Sequence, residues 1–301
     1  MSLPALKLYH KQPYPAISPT LPEVSQAGRT VVISGGSSGI GFAIARSFAT
    51  AGAKRVIILG RRCETAESAA ATLNSDAGSN VAEARIVDAY SLPDVERLWS
   101  DLKTEGIYVD VLVLSAAAYG SKKPILAASL EETWGDFEAN VRAPLAMTLG
   151  FSKQTTGHSK KYLVNVSTIA AYMWTTMGPD RPTYGLTKNA GTALLQQIAK
   201  DTSSDDLQIV SFHPGGVLTE SARREGYADS GFNFDDENLP GNFATWAASP
   251  EAAFLHGRFV WANWDVEELK NGVVGERIRE DEHFLKVGIE GLNEKDGGAR
   301  F

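Results

Sequence analysis

The sequence predicts an α/β protein built on one doubly wound parallel sheet with helices on both faces. Short apolar segments alternate with longer segments of helical periodicity along most of the chain, and a glycine-rich turn follows the first apolar segment. The apolar segments contain few polar residues, which is typical of parallel strands that are buried on both faces. Right-handed crossovers between such strands then give a single doubly wound sheet.

The predicted strands are the short apolar segments. They lie at residues 30–34, 55–59, 82–87, 109–115, 162–166, 207–212 and 259–262. Several of the segments between them have the periodicity of helices that bury one face against a sheet. The clearest predicted helices follow the glycine-rich turn up to residue 51 and then span residues 92–105, 130–151 and 183–200.

An arm and a tail flank this alternation, which occupies residues 29–262 as one domain. Prolines between positions 13 and 22 predict that residues 1–28 form an extended arm laid over the body of the protein. Residues 263–301 form the tail. Residues 220–250 break the alternation, so they form either a lid or a solvated loop. We favour a substrate lid because the segment follows a strand end, where doubly wound sheets bind ligands.

Charge and cysteine content narrow the classes of partner. The chain has 29 basic and 36 acidic residues and a net charge of −7, which argues against a nucleic-acid or anionic-membrane surface. Its single cysteine, Cys63, can form neither an intrachain disulfide nor a cysteine-cluster metal site. No segment has the apolar length of a signal peptide or a membrane span. We therefore expect a cytoplasmic protein that binds a small molecule and no metal.

The glycine-rich turn is the first candidate binding site. It reads Ser34-Gly35-Gly36-Ser37-Ser38-Gly39-Ile40-Gly41 and lies between a predicted strand and a predicted helix. Glycines allow the backbone to approach a diphosphate, whose charge then meets free amides at the start of the helix. The alternative is a plain glycine-rich turn, but the flanking strand and helix favour dinucleotide binding by a Rossmann-type fold.

Arg61 and Arg62 follow the second predicted strand. A carboxylate at this point would bind the adenosine ribose and repel a 2′-phosphate, whereas guanidinium groups can pair with that phosphate. A solvated arginine pair is an equally good interpretation when these residues are taken alone. Their position in a dinucleotide fold favours NADP(H) as the cofactor.

Tyr184 and Lys188 are the first candidate catalytic residues. They are four residues apart in a predicted helix, so both lie on one face. A phenol is a poor acid–base catalyst at neutral pH, and a nearby cation lowers its pKa towards the working range. The same spacing also arises by coincidence on helix surfaces. Ser167 ends a buried type of strand, where such sheets place functional groups, although most serines at strand ends only cap a turn.

These motifs resemble the short-chain dehydrogenase/reductase family over residues 28–262, with serine in place of threonine at the start of its T-G-x-x-x-G-x-G motif. The resemblance implies that Tyr184 is the general acid and that Lys188 lowers its pKa and holds the nicotinamide ribose. It implies that Ser167 orients the substrate carbonyl. Asn140 matches the family's helix asparagine, which supports a water relay to the lysine.

The same resemblance implies the contacts of the cofactor. Asp88 matches the aspartate beside the adenine, and Val217 and Thr219 match the residues that meet the nicotinamide amide and the diphosphate. The residues where NADP-binding members contact phosphate are Ser37, Ile40 and Arg61. The whole expected cofactor site comprises Ser34, Gly35, Ser37, Gly39, Ile40, Gly41, Arg61, Arg62, Asp88, Ala116, Asn140, Tyr184, Lys188, Val217 and Thr219.

The chain also departs from the family pattern. The family's N-N-A-G motif is replaced by residues 114–117, which read Leu-Ser-Ala-Ala and lack the asparagine that braces the central strands. Looser packing around the adenosine is therefore expected. The segment between Ser167 and Tyr184 is longer than usual, which should reshape the pocket. This segment contains Trp174, Pro179 and Pro182.

The proline-rich arm and the tail around residues 257–269 resemble fungal NADP-dependent reductases of specialised metabolism, which implies a bulky polyketide-like or terpenoid-like substrate. Five aromatic residues lie after strand ends or in the lid segment, where they either line an apolar cavity or simply pack. They are Tyr119, Trp174, Phe232, Phe234 and Trp246.

These observations predict an NADP(H)-dependent oxidoreductase that transfers hydride reversibly between NADPH and a ketone or secondary alcohol. Donors at Ser167 and Tyr184 would stabilise the charge that develops on the carbonyl oxygen. The alternative is a non-redox protein of the same fold, either a cyclase or isomerase that binds NADP structurally or a cofactor-sensing regulator. Family members usually pair through the helices predicted at residues 130–151 and 183–200, which implies a homodimer or homotetramer.

Overall fold

A computed structural model of the protein describes residues 6–154, 160–173 and 180–289. Within these ranges the chain forms one parallel sheet of seven strands in the order β3-β2-β1-β4-β5-β6-β7. The strands are β1 (Thr30–Ser34), β2 (Arg55–Gly60), β3 (Ala82–Ile86), β4 (Val111–Leu114), β5 (Lys161–Val166), β6 (Leu207–His213) and β7 (Arg258–Trp261). The predicted fold class is confirmed, and every predicted strand matches an observed one to within two residues at each end.

Helices cover both faces of the sheet. The α-helices of the described ranges are α1 (Gly39–Thr50), α2 (Cys63–Ala77), α3 (Leu92–Thr104), α4 (Leu130–Phe137), α5 (Ala143–Ser152), α6 (Pro182–Lys200), α7 (Glu220–Arg224), α8 (Asn238–Ala247), α9 (Val266–Lys270) and α10 (Gly272–Glu280). One core contains buried side chains of α1, α2 and α8, and the other contains those of α3, α5 and α6.

The central strands supply side chains to both cores. In β1, Ile33 lies in the core beneath α1 and α8, whereas its neighbour Val32 lies in the core beneath α3 and α6. All residues of β1 are buried. Because alternate residues of each strand face opposite cores, both sets must be apolar, which accounts for the uninterrupted apolar segments of the sequence.

The helix predicted over residues 130–151 contains a π-helical segment. Residues Glu138–Arg142 form this segment, and it joins α4 to α5 without a break. Short π-helical turns inside α-helices occur frequently at functional sites. Here the segment contains the buried Asn140, one of the predicted site residues.

The lid interpretation of residues 220–250 is wrong for the second half of that segment, because α8 is almost entirely buried and packs against α1. Its proline and glycine are compatible with a helix at their positions. Pro240 lies in the first turn, where a backbone N–H has no partner within the helix. A Cβ on Gly241 would lie 2.7 Å from the carbonyl oxygen of Ala43, so glycine allows α8 to approach α1 closely.

The described part of the arm is integrated with the core through two short 3-10 turns at Pro15–Ile17 and Pro22–Val24. Ile17 and Val24 are fully buried. The hydroxyl of Tyr14 donates to the carbonyl oxygen of Trp264 at 2.9 Å. The arm therefore contacts the chain after β7, near the opposite end of the sequence.

Within residues 6–154, 160–173 and 180–289, none of the helices combines the length and the apolarity that crossing a membrane requires. The same residues hold no cluster of three histidine, cysteine, aspartate or glutamate side chains suited to a metal ion.

Candidate active site

The glycine-rich turn lies at the carboxyl end of β1, next to β4, where the order of the strands reverses direction. Gly35 and Gly39 have φ angles of +69° and +53°, in the left-handed region that favours glycine. A Cβ on Gly41 would lie 2.2 Å from the carbonyl oxygen of Gly35, so a side chain is excluded there. Gly39 and Gly41 therefore leave two positions without a side chain at the start of α1, which favours the close approach of a diphosphate.

Ser34 braces the two central strands beyond the turn. Its hydroxyl oxygen accepts hydrogen bonds from the amides of Ser115 at 3.1 Å and Ala116 at 3.2 Å. The residues after β4 thus have a hydrogen-bonding partner although the family's asparagine is missing there. A serine at the first position of the glycine motif contributes directly to the shape of the site.

The arginines at the end of β2 are exposed, and neither forms an ion pair with the part of the chain that the structure describes. The Arg61 guanidinium lies 5.5 Å from the centre of the Tyr90 ring, and Asp88 accepts a hydrogen bond from the Tyr90 amide. A Cβ on Gly60 would lie 3.0 Å from the Ser37 hydroxyl. Predicted adenosine and phosphate contacts therefore lie together beside the first turn.

A cleft of about 410 Å³ adjoins this edge of the turn. Most of its polar lining is hydroxyl groups. The lining residues are Ser37, Ser38, Phe42, Glu64, Thr65, Ser68, Ala69 and Thr72.

Lys188 is buried on α6, and its ammonium donates a hydrogen bond to the carbonyl oxygen of Val166 at 2.8 Å. Loss of solvation lowers the pKa of Lys188 to about 8. Val166 is the last residue of β5, directly before Ser167. The predicted lysine and serine are thus brought to the same strand end.

Tyr184 lies in the first turn of α6, on the same face as Lys188, and is partly exposed to solvent. Burial is the largest influence on its phenol and raises the pKa of Tyr184 above the usual value, while a hydrogen bond with Thr168 lowers it in part. The expected lowering of the Tyr184 pKa by Lys188 is therefore not found. The physical reason is that desolvation of the phenol dominates, while the Lys188 ammonium is engaged with Val166.

Ser167 is hydrogen bonded within the protein. Its hydroxyl lies 2.7 Å from the hydroxyl of Thr192, which donates in turn to the carbonyl oxygen of Lys188. Thr192 was not predicted to belong to the site. Its position four residues after Lys188, on the same face of the helix, is the signal that could have identified it.

Asn140 holds the loop after β4 against α6. Its side-chain oxygen accepts from the amide of Ala118 at 2.9 Å, and its side-chain nitrogen donates to the carbonyl oxygen of Ala118 and to Thr187. A Cβ on Gly191 would lie 2.6 Å from the carbonyl oxygen of Asn140, so the π-helical segment lies directly against α6. The side chain of Asn140 makes no direct hydrogen bond with Lys188 among the described residues.

The turn after β6 is hydrogen bonded to a buried acidic residue, Asp235, which the sequence did not predict to belong to the site. Asp235 is buried, and its carboxylate accepts from the amide of Gly216 at 2.8 Å. Its own amide donates to the carbonyl oxygen of Gly216, also at 2.8 Å. An isolated β-bridge joins Val217 and Asp235. A Cβ on Gly39 would lie 3.2 Å from the methyl group of Thr219. The turn after β6 therefore meets the glycine-rich turn.

Three of the five predicted aromatic residues lie around this region. The ring of Tyr119 is 5.1 Å from that of Tyr184, and Phe232 packs edge to face on Phe234 at 5.0 Å. Trp246 is buried in the core against Phe243, so of the two interpretations left open for it, packing is the one that the structure supports. Trp174 and Pro179 lie outside the described residues.

A further aromatic cluster extends from Ser167 across the last strands. The Trp261 indole donates to the hydroxyl of Tyr172 at 2.8 Å, and the His213 imidazole packs edge to face on Trp261 at 4.9 Å. Burial lowers the pKa of His213 to about 3, so the ring is neutral. The sequence alone predicts no role in the site for Tyr172 or Trp261.

The first half of the predicted lid is tied across the site by ion pairs. Glu225, which follows α7, lies 2.8 Å from the ammonium of Lys122 and 2.9 Å from the guanidinium of Arg181. Arg181 also donates to the carbonyl oxygen of Gly120 at 2.7 Å. These contacts connect the segment after β6 to the loop after β4 and to the start of α6.

Comparisons with known proteins agree with this geometry. The family model described as short chain dehydrogenase matches residues 29–228. The chain is 36% identical to the short chain dehydrogenase/reductase AacuD of Aspergillus aculeatus over 281 residues, which cover 93% of this chain and 95% of that protein. It is 35% identical to the short chain dehydrogenase/reductase nsrO of Aspergillus novofumigatus, over 94% of this chain and 96% of that one.

Solved structures share the fold. The L-sorbose reductase of Gluconobacter frateurii, complexed with NADPH and L-sorbose, has a TM-score of 0.68 at 23% identity and covers 79% of this chain and 96% of its own. A 7α-hydroxysteroid dehydrogenase complexed with NADH and 7-oxo glycochenodeoxycholic acid has a TM-score of 0.71 at 20% identity, over 83% and 97% of the two chains.

Proposed function

This chain belongs to the short-chain dehydrogenase family, and from that premise we propose that it is an NADP(H)-dependent oxidoreductase acting on a ketone and the corresponding secondary alcohol. The observation that carries the proposal is the convergence of Tyr184, Lys188 and Ser167 at the carboxyl end of β5, where Lys188 donates to the carbonyl oxygen of Val166 and Tyr184 is hydrogen bonded with Thr168. A phenol, an ammonium and a hydroxyl at one strand end are the groups that acid–base chemistry on a carbonyl requires.

The residues of the glycine-rich turn fit a dinucleotide, because a side chain at Gly41 is excluded and the arginines after β2 have no carboxylate partner among the described residues. NADPH, when bound, supplies the hydride that adds to the carbonyl carbon. Tyr184 donates its phenolic proton to the carbonyl oxygen, which becomes the alcohol oxygen. Ser167 would orient that oxygen, and Lys188 would hold the nicotinamide ribose and return a proton to the phenol.

The preference for NADP over NAD rests on local charge. Arg61 and Arg62 are exposed at the end of β2, and the Ser37 hydroxyl faces the same strand end. A 2′-phosphate would pair with these guanidinium groups. The fold alone does not choose the cofactor, since a reductase complexed with NADPH and a dehydrogenase complexed with NADH both share it.

The substrate is proposed to be a bulky hydrophobic metabolite. Tyr119, Tyr172 and Phe232 each keep more than a third of their surface exposed near the site. Exposed aromatic rings around a catalytic group are suited to large apolar ligands. In this proposal residues 220–237, the first half of the predicted segment, act as the substrate lid, because Glu225 ties that segment to Arg181 across the site.

Assembly as a homodimer or homotetramer is proposed through α4, α5 and α6. Leu130, Trp134 and Leu149 of the first two helices are exposed apolar residues on that side of the molecule. Sedimentation equilibrium of the intact protein tests the assembly, and a Trp134→Glu variant is expected to shift it towards the monomer.

The loss of NADPH absorbance in the presence of a panel of large ketones tests the redox function. Tyr184→Phe is expected to lower kcat by roughly a hundredfold or more, because it removes the general acid and keeps the ring. NADPH affinity, measured by cofactor fluorescence, should remain close to that of the wild type. A wild-type protein that binds NADPH and oxidises it with none of the ketones would favour the non-redox alternative.

A further inference from the structure

Asp235 connects three segments of the chain at the turn after β6. Its Oδ2 atom accepts from the amide of Gly216 at 2.8 Å and from the side-chain amide of Asn263 at 3.1 Å. A Cβ on Gly215 would lie 2.5 Å from the same oxygen, so glycine is required where the carboxylate meets the turn. A buried carboxylate that accepts several hydrogen bonds fixes the groups that donate them.

The charge of Asp235 is balanced by the N-terminal arm. The ammonium of Lys11 lies 3.3 Å from Oδ1 of Asp235 and donates to the carbonyl oxygen of Asn233. The carbonyl oxygen of Lys11 accepts from the amide of Asp236 at 2.8 Å. The side chain of Asp235 has only 3% of its surface exposed, so the carboxylate of this ion pair is removed from water.

The arm is itself held in place beside the turn. The amide of His10 donates to the carbonyl oxygen of Asn263 at 2.7 Å, and the Asn263 side chain donates back to the carbonyl oxygen of His10 at 2.9 Å. The His10 ring also lies 2.9 Å from the carboxylate of Asp265. Lys11 therefore reaches Asp235 from a fixed backbone.

The turn that these contacts hold is part of the proposed cofactor groove. Gly216 precedes Val217, and Thr219 lies against Gly39 of the glycine-rich turn. Phe232 covers Gly216 from the lid side, since a Cβ there would lie 2.6 Å from its ring. A shift of Asp235 would thus move the backbone of residues 216–219 and the lid together.

We propose that Asp235 and Lys11 are positioning residues that hold the turn after β6 against the nicotinamide half of the cofactor, so that the N-terminal arm is part of the active site. This inference rests on the proposed function. It assigns the adenosine half of the cofactor to other groups, namely the arginines after β2 and the glycine-rich turn.

The test compares two ligands of the full-length protein. NADPH reaches both halves of the groove, whereas 2′,5′-ADP carries only the adenosine half with its 2′-phosphate. Lys11→Met and Asp235→Asn are expected to weaken NADPH binding by roughly ten- to hundredfold, the range of a lost hydrogen bond or ion pair with a buried charged group. The dissociation constant of 2′,5′-ADP should stay within about twofold of the wild type.

Matched variants separate positioning from general loss of charge. Lys7→Met removes an arm lysine that forms no ion pair with the described residues, and it should leave both dissociation constants unchanged. Lys11→Arg keeps the charge and should restore most of the NADPH affinity. Lys11→Met should also speed tryptic cleavage after Arg223 and Arg224 in the lid, as mass spectrometry of early digests would show.

The outcomes are distinct. Equal weakening of NADPH and 2′,5′-ADP by Lys11→Met, or weakening of neither, would overturn the positioning role. If Asp235→Asn does not fold, the same decision rests on Lys11→Met, whose exposed side chain tolerates substitution. A wild-type protein that binds neither ligand would instead refute the proposed cofactor function.

Discussion

The hydroxyl groups of Ser167 and Thr192 lie 2.7 Å apart, and Thr192 donates its own proton to the carbonyl oxygen of Lys188 at 2.8 Å. A hydroxyl has one proton, so Ser167 is the donor in the first of these bonds. To donate to a substrate carbonyl, the Ser167 hydroxyl must therefore give up its hydrogen bond to Thr192 and form one to the substrate instead. The helix that carries the lysine and the tyrosine competes with the substrate for this hydroxyl.

Thr192→Val should raise kcat/KM by a fewfold, because it removes the competing acceptor and keeps the shape of the side chain. Ser167→Ala should lower kcat/KM by roughly a hundredfold. The informative measurement is the double variant, in which Thr192→Val should have no further effect in the Ser167→Ala background. An equal effect of Thr192→Val in both backgrounds would show that Thr192 acts independently of Ser167.

Arg61→Ala should weaken the binding of NADPH by roughly ten- to hundredfold and leave the binding of NADH almost unchanged, because only NADPH carries the 2′-phosphate. Dissociation constants from cofactor fluorescence give this comparison directly. Arg97→Ala is a suitable control, since Arg97 is an exposed arginine of α3 that pairs with Asp94. Equal losses for the two cofactors in Arg61→Ala would contradict the assignment of the phosphate site.

Lys188 should give the reduction an alkaline limit. The pKa of Lys188 is lowered to about 8, so the ammonium is charged below that pH and neutral above it. If the charged form returns the proton to Tyr184, kcat for ketone reduction should fall as the pH rises through about 8. A profile of kcat that stays flat from pH 7 to 9 would argue against this role.

The same burial links Lys188 to stability. A lysine that holds its proton less tightly in the folded protein makes the protein more stable as the pH rises from about 8 towards the usual lysine pKa near 10.4. Lys188→Met should remove that rise. The melting temperature of Lys188→Met minus that of the wild type should therefore be larger at pH 7 than at pH 10.

His213 should make the fold sensitive to acid. Its pKa is lowered to about 3, below the usual value near 6.5, so its contribution to stability is complete above about pH 6.5 and is lost as the pH falls towards 3. Between pH 7 and 5 this amounts to about 2 kcal/mol.

Urea denaturation of His213→Phe at these two pH values tests the assignment, since the variant should lose less stability on acidification than the wild type does. An unchanged pH dependence in His213→Phe would show that other groups set the acid sensitivity.

The strands and the placement of the candidate catalytic side chains were predictable because they follow from local patterns. An apolar segment such as that ending at Val166 must be covered on both faces, and the residues after parallel strands meet at one edge of the sheet. Ser167, Tyr184 and Lys188 are therefore brought together as their positions predict.

The features that were missed depend on contacts between distant parts of the chain. The pairing of Asp235 with Gly216 and Lys11 has no local signature, and the partner of Ser167 depends on the packing of α6. The pKa of Tyr184 is set by how far the phenol is removed from water, which only the packed structure gives. Gly241 lies in the segment that breaks the predicted alternation, and only its close contact with α1 accounts for a glycine inside the buried helix α8.

The contact between the arm and the segment after β7 also determines when the arm can fold during synthesis. Tyr14 is separated by 250 residues from its hydrogen-bonding partner Trp264. At about 5–20 residues per second, a ribosome needs on the order of ten seconds or more to make that stretch. The arm thus leaves the ribosome well before the segment on which it docks, and the turn that Asp235 and Lys11 hold is completed only after Asn263, which follows β7, has emerged.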